Sequence, residues 1–115
     1  MVVGLTFTTM AIEKIQDNEF QQHLESGELL VVKYYADWCG NCKLIAPKFR
    51  KLAEAQEGNA VRFLDINAEE NPEARKAAQV TNLPYFAVFK NGELKEGAAT
   101  SRIQAVEEML NNHLN

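Results

Sequence analysis

An α/β fold, a central mixed β-sheet flanked by helices on both faces, is what this sequence predicts, and three observations predict it. The hydrophobic pattern alternates between strand-like and helix-like periods and gives the order β-α-β-α-β-α-β-β-α. The stretch Leu29 to Tyr35 is a near-continuous apolar run, as a strand covered on both faces should be. Asn91-Gly92 stands between two strand-like runs and is the strongest short hairpin signal. Helical crossovers make parallel pairs in the first half. The hairpin adds an antiparallel edge late, so the sheet is mixed.

The elements follow in order. Ala11 to Ile15 can form a short first strand. Asp17 or Asn18 is suited to cap a helix carrying Phe20 and Leu24, which Gly27 ends. Leu29 to Tyr35 is the central strand. The pattern of Leu44 to Gln56 places Ile45, Phe49 and Leu52 on one helical face, and Pro47 inside it predicts a kink. Val61 to Asn67 reads as another strand. Asn71-Pro72 is a cap followed by proline at the first helical position, opening a helix to about Ala78. Tyr85 to Lys90 is rich in aromatic and β-branched residues, and Glu93 to Ala98 returns antiparallel across the Asn91-Gly92 turn. Ser101-x-x-Gln104 has the form of a capping box for a last helix whose inner face carries Ile103, Val106 and Leu110.

The 115 residues, 46% of them hydrophobic, suit one domain spanning 1–115 with its own core. No linker, repeat or low-complexity segment divides them. Met1 to Met10 lacks a basic start and a proper apolar core, so it reads as a disordered or weakly packed extension rather than a signal peptide, with Met10 an alternative start. The net charge is -4, without a basic block or aromatic-basic interleaving, so no nucleic-acid partner is expected. No apolar run approaches the roughly 20 residues of a membrane span. Two cysteines and no others suit a reducing cytosol, which makes a cytoplasmic location the expectation.

Those two cysteines carry the chemistry. They lie in Trp38-Cys39-Gly40-Asn41-Cys42-Lys43, where the apolar strand hands over to the helical pattern. Residues three apart on a helix start sit about one turn apart, within reach of the roughly 5.5 Å Cα separation of a disulfide. Free N–H groups and the positive end of the helix dipole favour a thiolate at the first cysteine. A reversible dithiol/disulfide switch is the reading this supports. A zinc site needs about four ligands, and His23 and His113 lie far off in sequence. A structural disulfide closing so small a loop removes little unfolded-chain entropy. Both histidines look incidental, and Glu69-Glu70 and Glu107-Glu108 read as solvated charge.

A wider set of features agrees in order, spacing and element type. They are Ala36-Asp37-Trp38-Cys39-Gly40 with Cys42-Lys43, Ala46-Pro47, Asn71-Pro72, Leu83-Pro84 and Lys90-Asn91-Gly92-Glu93. Through them the chain resembles the thioredoxin family, from about Phe20 to its C-terminus. The resemblance implies a thioredoxin fold and a thiol–disulfide oxidoreductase that reduces protein disulfides. It implies that Cys39 is the exposed nucleophile and Cys42 the buried resolving thiol. Trp38 should lie beside the pair and shape a flat apolar docking surface; a simple core tryptophan is the alternative. Leu83-Pro84 should be cis and bring Leu83 against the cysteines, where its backbone can pair with an extended substrate. The implied partners are disulfide-containing proteins and, as electron donor, a flavin- and NADPH-dependent reductase. No bound cofactor or metal is needed, and a monomer is expected.

Four positions depart from the family pattern. Asn41 stands where proline is usual between Gly40 and Cys42, which frees backbone φ and restores an N–H near the thiols. That change is expected to shift the reduction potential, toward a better oxidant. Asn82 replaces a usual glycine before Leu83-Pro84, and asparagine tolerates left-handed φ. The family's buried aspartate six residues before the first cysteine is Lys33, and the lysine opposite it is Asp65. The pair is present with its partners exchanged; the plainer reading is two solvated charges. These departures keep two alternatives open: a more oxidising oxidase or isomerase of the same fold, and a redox-sensing binding module without turnover.

Overall fold

Residues 11–114 are described in the computed structural model. The extension read at residues 1–10 lies outside them. The elements are β1 (Ile12–Lys14), α1 (Asp17–Ser26), β2 (Leu29–Tyr35), α2 (Gly40–Ala55), β3 (Val61–Asn67), α3 (Pro72–Ala78), β4 (Tyr85–Lys90), β5 (Glu93–Ala99) and α4 (Ile103–Asn111). The strands form one sheet in the order β1-β3-β2-β4-β5. β1 and β2 each pair with β3 in parallel, whereas β4 pairs antiparallel with both β2 and β5. The mixed sheet expected from the helical crossovers and the hairpin is the one found.

Alternation along β2 divides the core between the two faces. Leu30, Val32 and Tyr34 meet Phe20, Leu64, Ile66, Ala74 and Ala78 on the side of α1 and α3. Leu29 and Val31 meet Ile45, Phe49, Phe63, Val106 and Leu110 on the side of α2 and α4. This is why the run looked continuously apolar: both of its faces are covered. Lys33 continues the Leu29–Val31 face, so its side chain enters the α2 side of the sheet, and the residue is 5% exposed. The expected hairpin turn has left-handed backbone at Asn91 (φ 57°) and Gly92 (φ 78°), as a two-residue turn between twisted strands requires.

The helix starts differ from the sequence expectation. Residue Gln16, not Asp17 or Asn18, occupies the cap position of α1, and Glu19 accepts the Gln16 N–H at 2.9 Å. Asp17 instead serves α3: its carboxylate accepts the N–H groups of Glu73 at 3.2 Å and Ala74 at 2.9 Å. Asn71 holds the cap position of α3, yet its side-chain oxygen accepts the Asp17 N–H at 2.9 Å. Each helix is thus ended by a residue of the other. At α4 the capping box on Ser101 and Gln104 is absent, because the cap position is Arg102, one residue later. Helix α2 begins at Gly40, earlier than its apolar period suggested. Gly40 and Asn41 are exposed and contribute nothing to that period. Pro47 is accommodated inside α2. Asn82 does not adopt the left-handed conformation; Gln79, the residue that ends α3, does (φ 57°).

Candidate active site

The topology gathers one end of the sheet. β2 runs toward Tyr35 and the cysteine motif. β3 runs parallel to it, with Asn67 opposite Tyr35, so the turn after β3 emerges beside the motif. β4 runs the other way, with Tyr85 opposite Tyr34, so Leu83-Pro84 enters at the same end. The Leu83-Pro84 peptide bond is cis. Pro84 is buried and its carbonyl accepts the Thr100 N–H at 3.2 Å, while Leu83 is half-buried against the α1/α3 core.

Cys39 and Cys42 form a disulfide with a Cα separation of 5.3 Å. Cys39 is the cap residue of α2, with extended backbone (φ -85°, ψ 104°), and its sulfur accepts the Cys42 N–H at 3.1 Å. Gly40 and Asn41 between them are exposed. The expectation of an exposed Cys39 is corrected: Cys39 is 4% exposed and Cys42 3%. In the disulfide the Cys39 sulfur is tied to Cys42 and turned onto the first turn of α2, away from solvent.

Trp38 is 68% exposed, so it is no core residue. Its indole N–H donates to Glu69 Oε2 at 2.6 Å, and the Glu69 N–H in turn donates to Asn67 Oδ1 at 2.9 Å. Glu69 is exposed, as expected of a solvated charge, and also holds this indole. Its partner lies 31 positions away, and no periodicity links the two. The other large exposed apolar side chain near the motif is Leu44, 74% exposed.

Lys33 and Asp65 face each other across β2 and β3, with Nζ to Oδ1 at 3.5 Å. Their side chains are 6% and 24% exposed. The ammonium also lies 5.6 Å from the Phe49 ring centre and 5.8 Å from that of Tyr35. Asp65 Oδ1 is buried and has no hydrogen-bond partner among the described residues. Burial pushes the Asp65 carboxyl up, and the Lys33 charge pulls partly against that. A cleft of about 200 Å³ is lined by Lys33 and Asp65 of the sheet, by Cys42 and Ala46 of α2, and by Asp37 and Lys43. A wider groove of about 580 Å³ on the outer side reaches the same Asp65 beside Lys14 and Arg50. A further hollow of about 470 Å³ lies where β2 and β3 begin, near Gly58 and Arg62, and holds no cysteine. His23 and His113 each pair with a glutamate, Glu28 and Glu96, at 2.9 Å. Among the described residues no three metal-ligating side chains cluster, and no helix is long and apolar enough to cross a membrane.

Comparison with known proteins agrees over the whole of this frame. The family model described as Thioredoxin matches residues 11–112. A thioredoxin of Staphylococcus epidermidis is 42% identical over 84 residues, covering 73% of this chain and 79% of that protein. The oxidised mitochondrial thioredoxin 3 of Saccharomyces cerevisiae superposes with a TM-score of 0.79 at 31% identity, covering 89% of this chain and 95% of that one. A Schistosoma mansoni thioredoxin does so at 0.79 and 28% identity, covering 92% and 99%.

Proposed function

The chain belongs to the thioredoxin family and is a protein thiol–disulfide oxidoreductase, and we propose that within it Cys39 attacks the substrate and Cys42 resolves the mixed disulfide. The observation that carries this assignment is the Cys42 N–H donated to the Cys39 sulfur at 3.1 Å, at the open start of α2. In the reduced protein the same N–H and the helix dipole favour negative charge on Cys39, the form that attacks. Its thiolate attacks one sulfur of a substrate disulfide; a Cys39–substrate bond forms and the other substrate thiolate leaves. The Cys42 thiolate then attacks Cys39. The Cys39–Cys42 bond forms, the second substrate thiolate leaves, and two electrons have passed to the substrate.

Family members are reduced by a thioredoxin reductase. For this chain the proposed donor is a flavin- and NADPH-dependent reductase, acting by docking and exchange, in the cytoplasm. Trp38, held open to solvent by Glu69, supports a docking role beside the pair. Leu83, at the same end of the sheet, supports backbone pairing with an extended substrate segment. A monomer fits the few large apolar side chains exposed among the described residues: Trp38, Leu44 and Leu114.

Asn41 favours a second reading. It restores an N–H between the cysteines where the family usually has proline, and a more oxidising pair would act as an oxidase or isomerase. Insulin-disulfide reduction with dithiothreitol tests turnover, and a stoichiometric binder would show none. The reduction potential then separates reductant from oxidant. Mild alkylation of the reduced protein is expected to label Cys39 first, and Cys42→Ser to trap a mixed disulfide; preferential labelling of Cys42 overturns the assignment.

A further inference from the structure

We propose that Lys33 is a positioning residue for the resolving step, its ammonium serving as the counter-charge to the Cys42 thiolate. The inference rests on the reading of Cys42 as the resolving thiol. Lys33 and Cys42 line the same cleft of about 200 Å³. It is a cation 5% exposed on a central strand, where an unpartnered charge would cost far more than at the surface. Its one acidic neighbour across the strand pair engages it weakly: at 3.5 Å the contact is an ion pair, and Asp65 Oδ1 makes no hydrogen bond among the described residues. An ammonium has three N–H donors, so this one retains donors for a second anion. The cleft wall supplies it when Cys42 is reduced and ionised.

The other charges near the cleft do not cancel this arrangement. Asp37 and Lys43 stand at its exposed mouth and oppose each other in sign. Lys14 of β1, in register with Asp65, and Arg50 of α2 line the outer groove with Asp65, and their charges act on its carboxylate from that side. Lys33 is therefore the buried charge whose sign favours a thiolate on Cys42.

The step balances without further groups. The Cys42 proton leaves to solvent through the open cleft. The thiolate attacks the Cys39 sulfur, one S–S bond replaces another, and the departing substrate sulfur carries the negative charge away. Lys33 is neither acid nor base here. It lowers the free energy of the thiolate before attack and, by the same interaction, stabilises the reduced pair over the disulfide.

The experiment titrates the Cys42 thiolate by its ultraviolet absorbance in a Cys39→Ser background and measures the reduction potential of the intact pair. Lys33→Met is expected to raise the Cys42 titration midpoint by about one pH unit or more and, with the potential read at a pH where Cys42 is ionised, to disfavour the reduced pair about tenfold, a fall of about 30 mV. Lys33→Arg should restore both. Asp65→Asn leaves Lys33 without its competing anion, so the midpoint should fall and the potential rise. It carries the test if Lys33→Met does not fold. An unmoved midpoint in Lys33→Met, or a midpoint raised by Asp65→Asn, overturns the proposal. Insulin reduction by the unaltered protein is measured alongside. Its absence would refute the oxidoreductase reading, while the Cys42 titration would still report on Lys33.

Discussion

At the scale of single residues, the exchanged charges are the feature that sets this chain apart. The family pattern, counted from Cys39 and Pro72, placed Lys33 opposite Asp65, and the two are partners across β2 and β3. Their burial could not be read that way, since it depends on α2 lying over them. The raised Asp65 carboxyl has a consequence for stability against pH. Below its ordinary value of 3.8, folded and unfolded chains both hold the proton. As pH rises, the unfolded chain ionises first while the folded one retains its proton. Stability therefore falls until the folded group ionises too, and is level above that. Urea midpoints measured from pH 3 to 7 should show Asp65→Asn gaining on the unaltered protein over that rise. A constant difference between the two would mean that burial does not control this carboxyl. Removing one charge should also cost more than removing both: Asp65→Ala is expected to be about 2 kcal/mol less stable than the Lys33→Leu, Asp65→Leu double change. Denaturant unfolding checks it, and simple additivity would show the charges to be independent.

At the scale of elements, β2, β3 and β4 occupy the spans their apolar patterns marked, because each pattern reports burial on a known period, and α3 the span that Asn71-Pro72 opened. Asn71-Pro72 at the start of α3 and Gly27 at the end of α1 were legible as caps; the starts of α1 and α4 were not. A capping residue is chosen by whichever backbone N–H lies nearest in space, and for Asp17 that is the start of α3, 57 positions away. Cys39 shows the same limit. The sequence identified it as chemically active but could not show that the disulfide turns its sulfur inward. Since Asp17 and Asn71 serve each other's helices, Asp17→Ala and Asn71→Ala should each cost about 1–2 kcal/mol. In a double-mutant cycle they should couple by about 0.5 kcal/mol or more. Independent effects would mean that each side chain acts only on its own helix.

At the scale of the whole molecule, one sheet separates two apolar cores, and the reactive end lies where β2 and β3 finish and β4 begins. That shared end made the site partly legible. The family resemblance placed Leu83-Pro84 beside the cysteines, and the strand order brings it to that end of the sheet. What topology cannot supply is a contact such as Trp38 to Glu69, which depends on the path of a turn. The exchange of caps between α1 and α3 has a consequence in time. Besides the Gln16–Glu19 contact of α1, the first turn of each helix is held by a side chain at the start of the other, so fraying of one loosens the other. Amide hydrogens of Asp17, Glu73 and Ala74 are accordingly expected to exchange with solvent through a single shared opening, with similar protection despite their separation along the chain. Asn71→Ala should then speed exchange at Ala74 as well as at Asp17, so that a change made at the start of one helix is read as a rate in both.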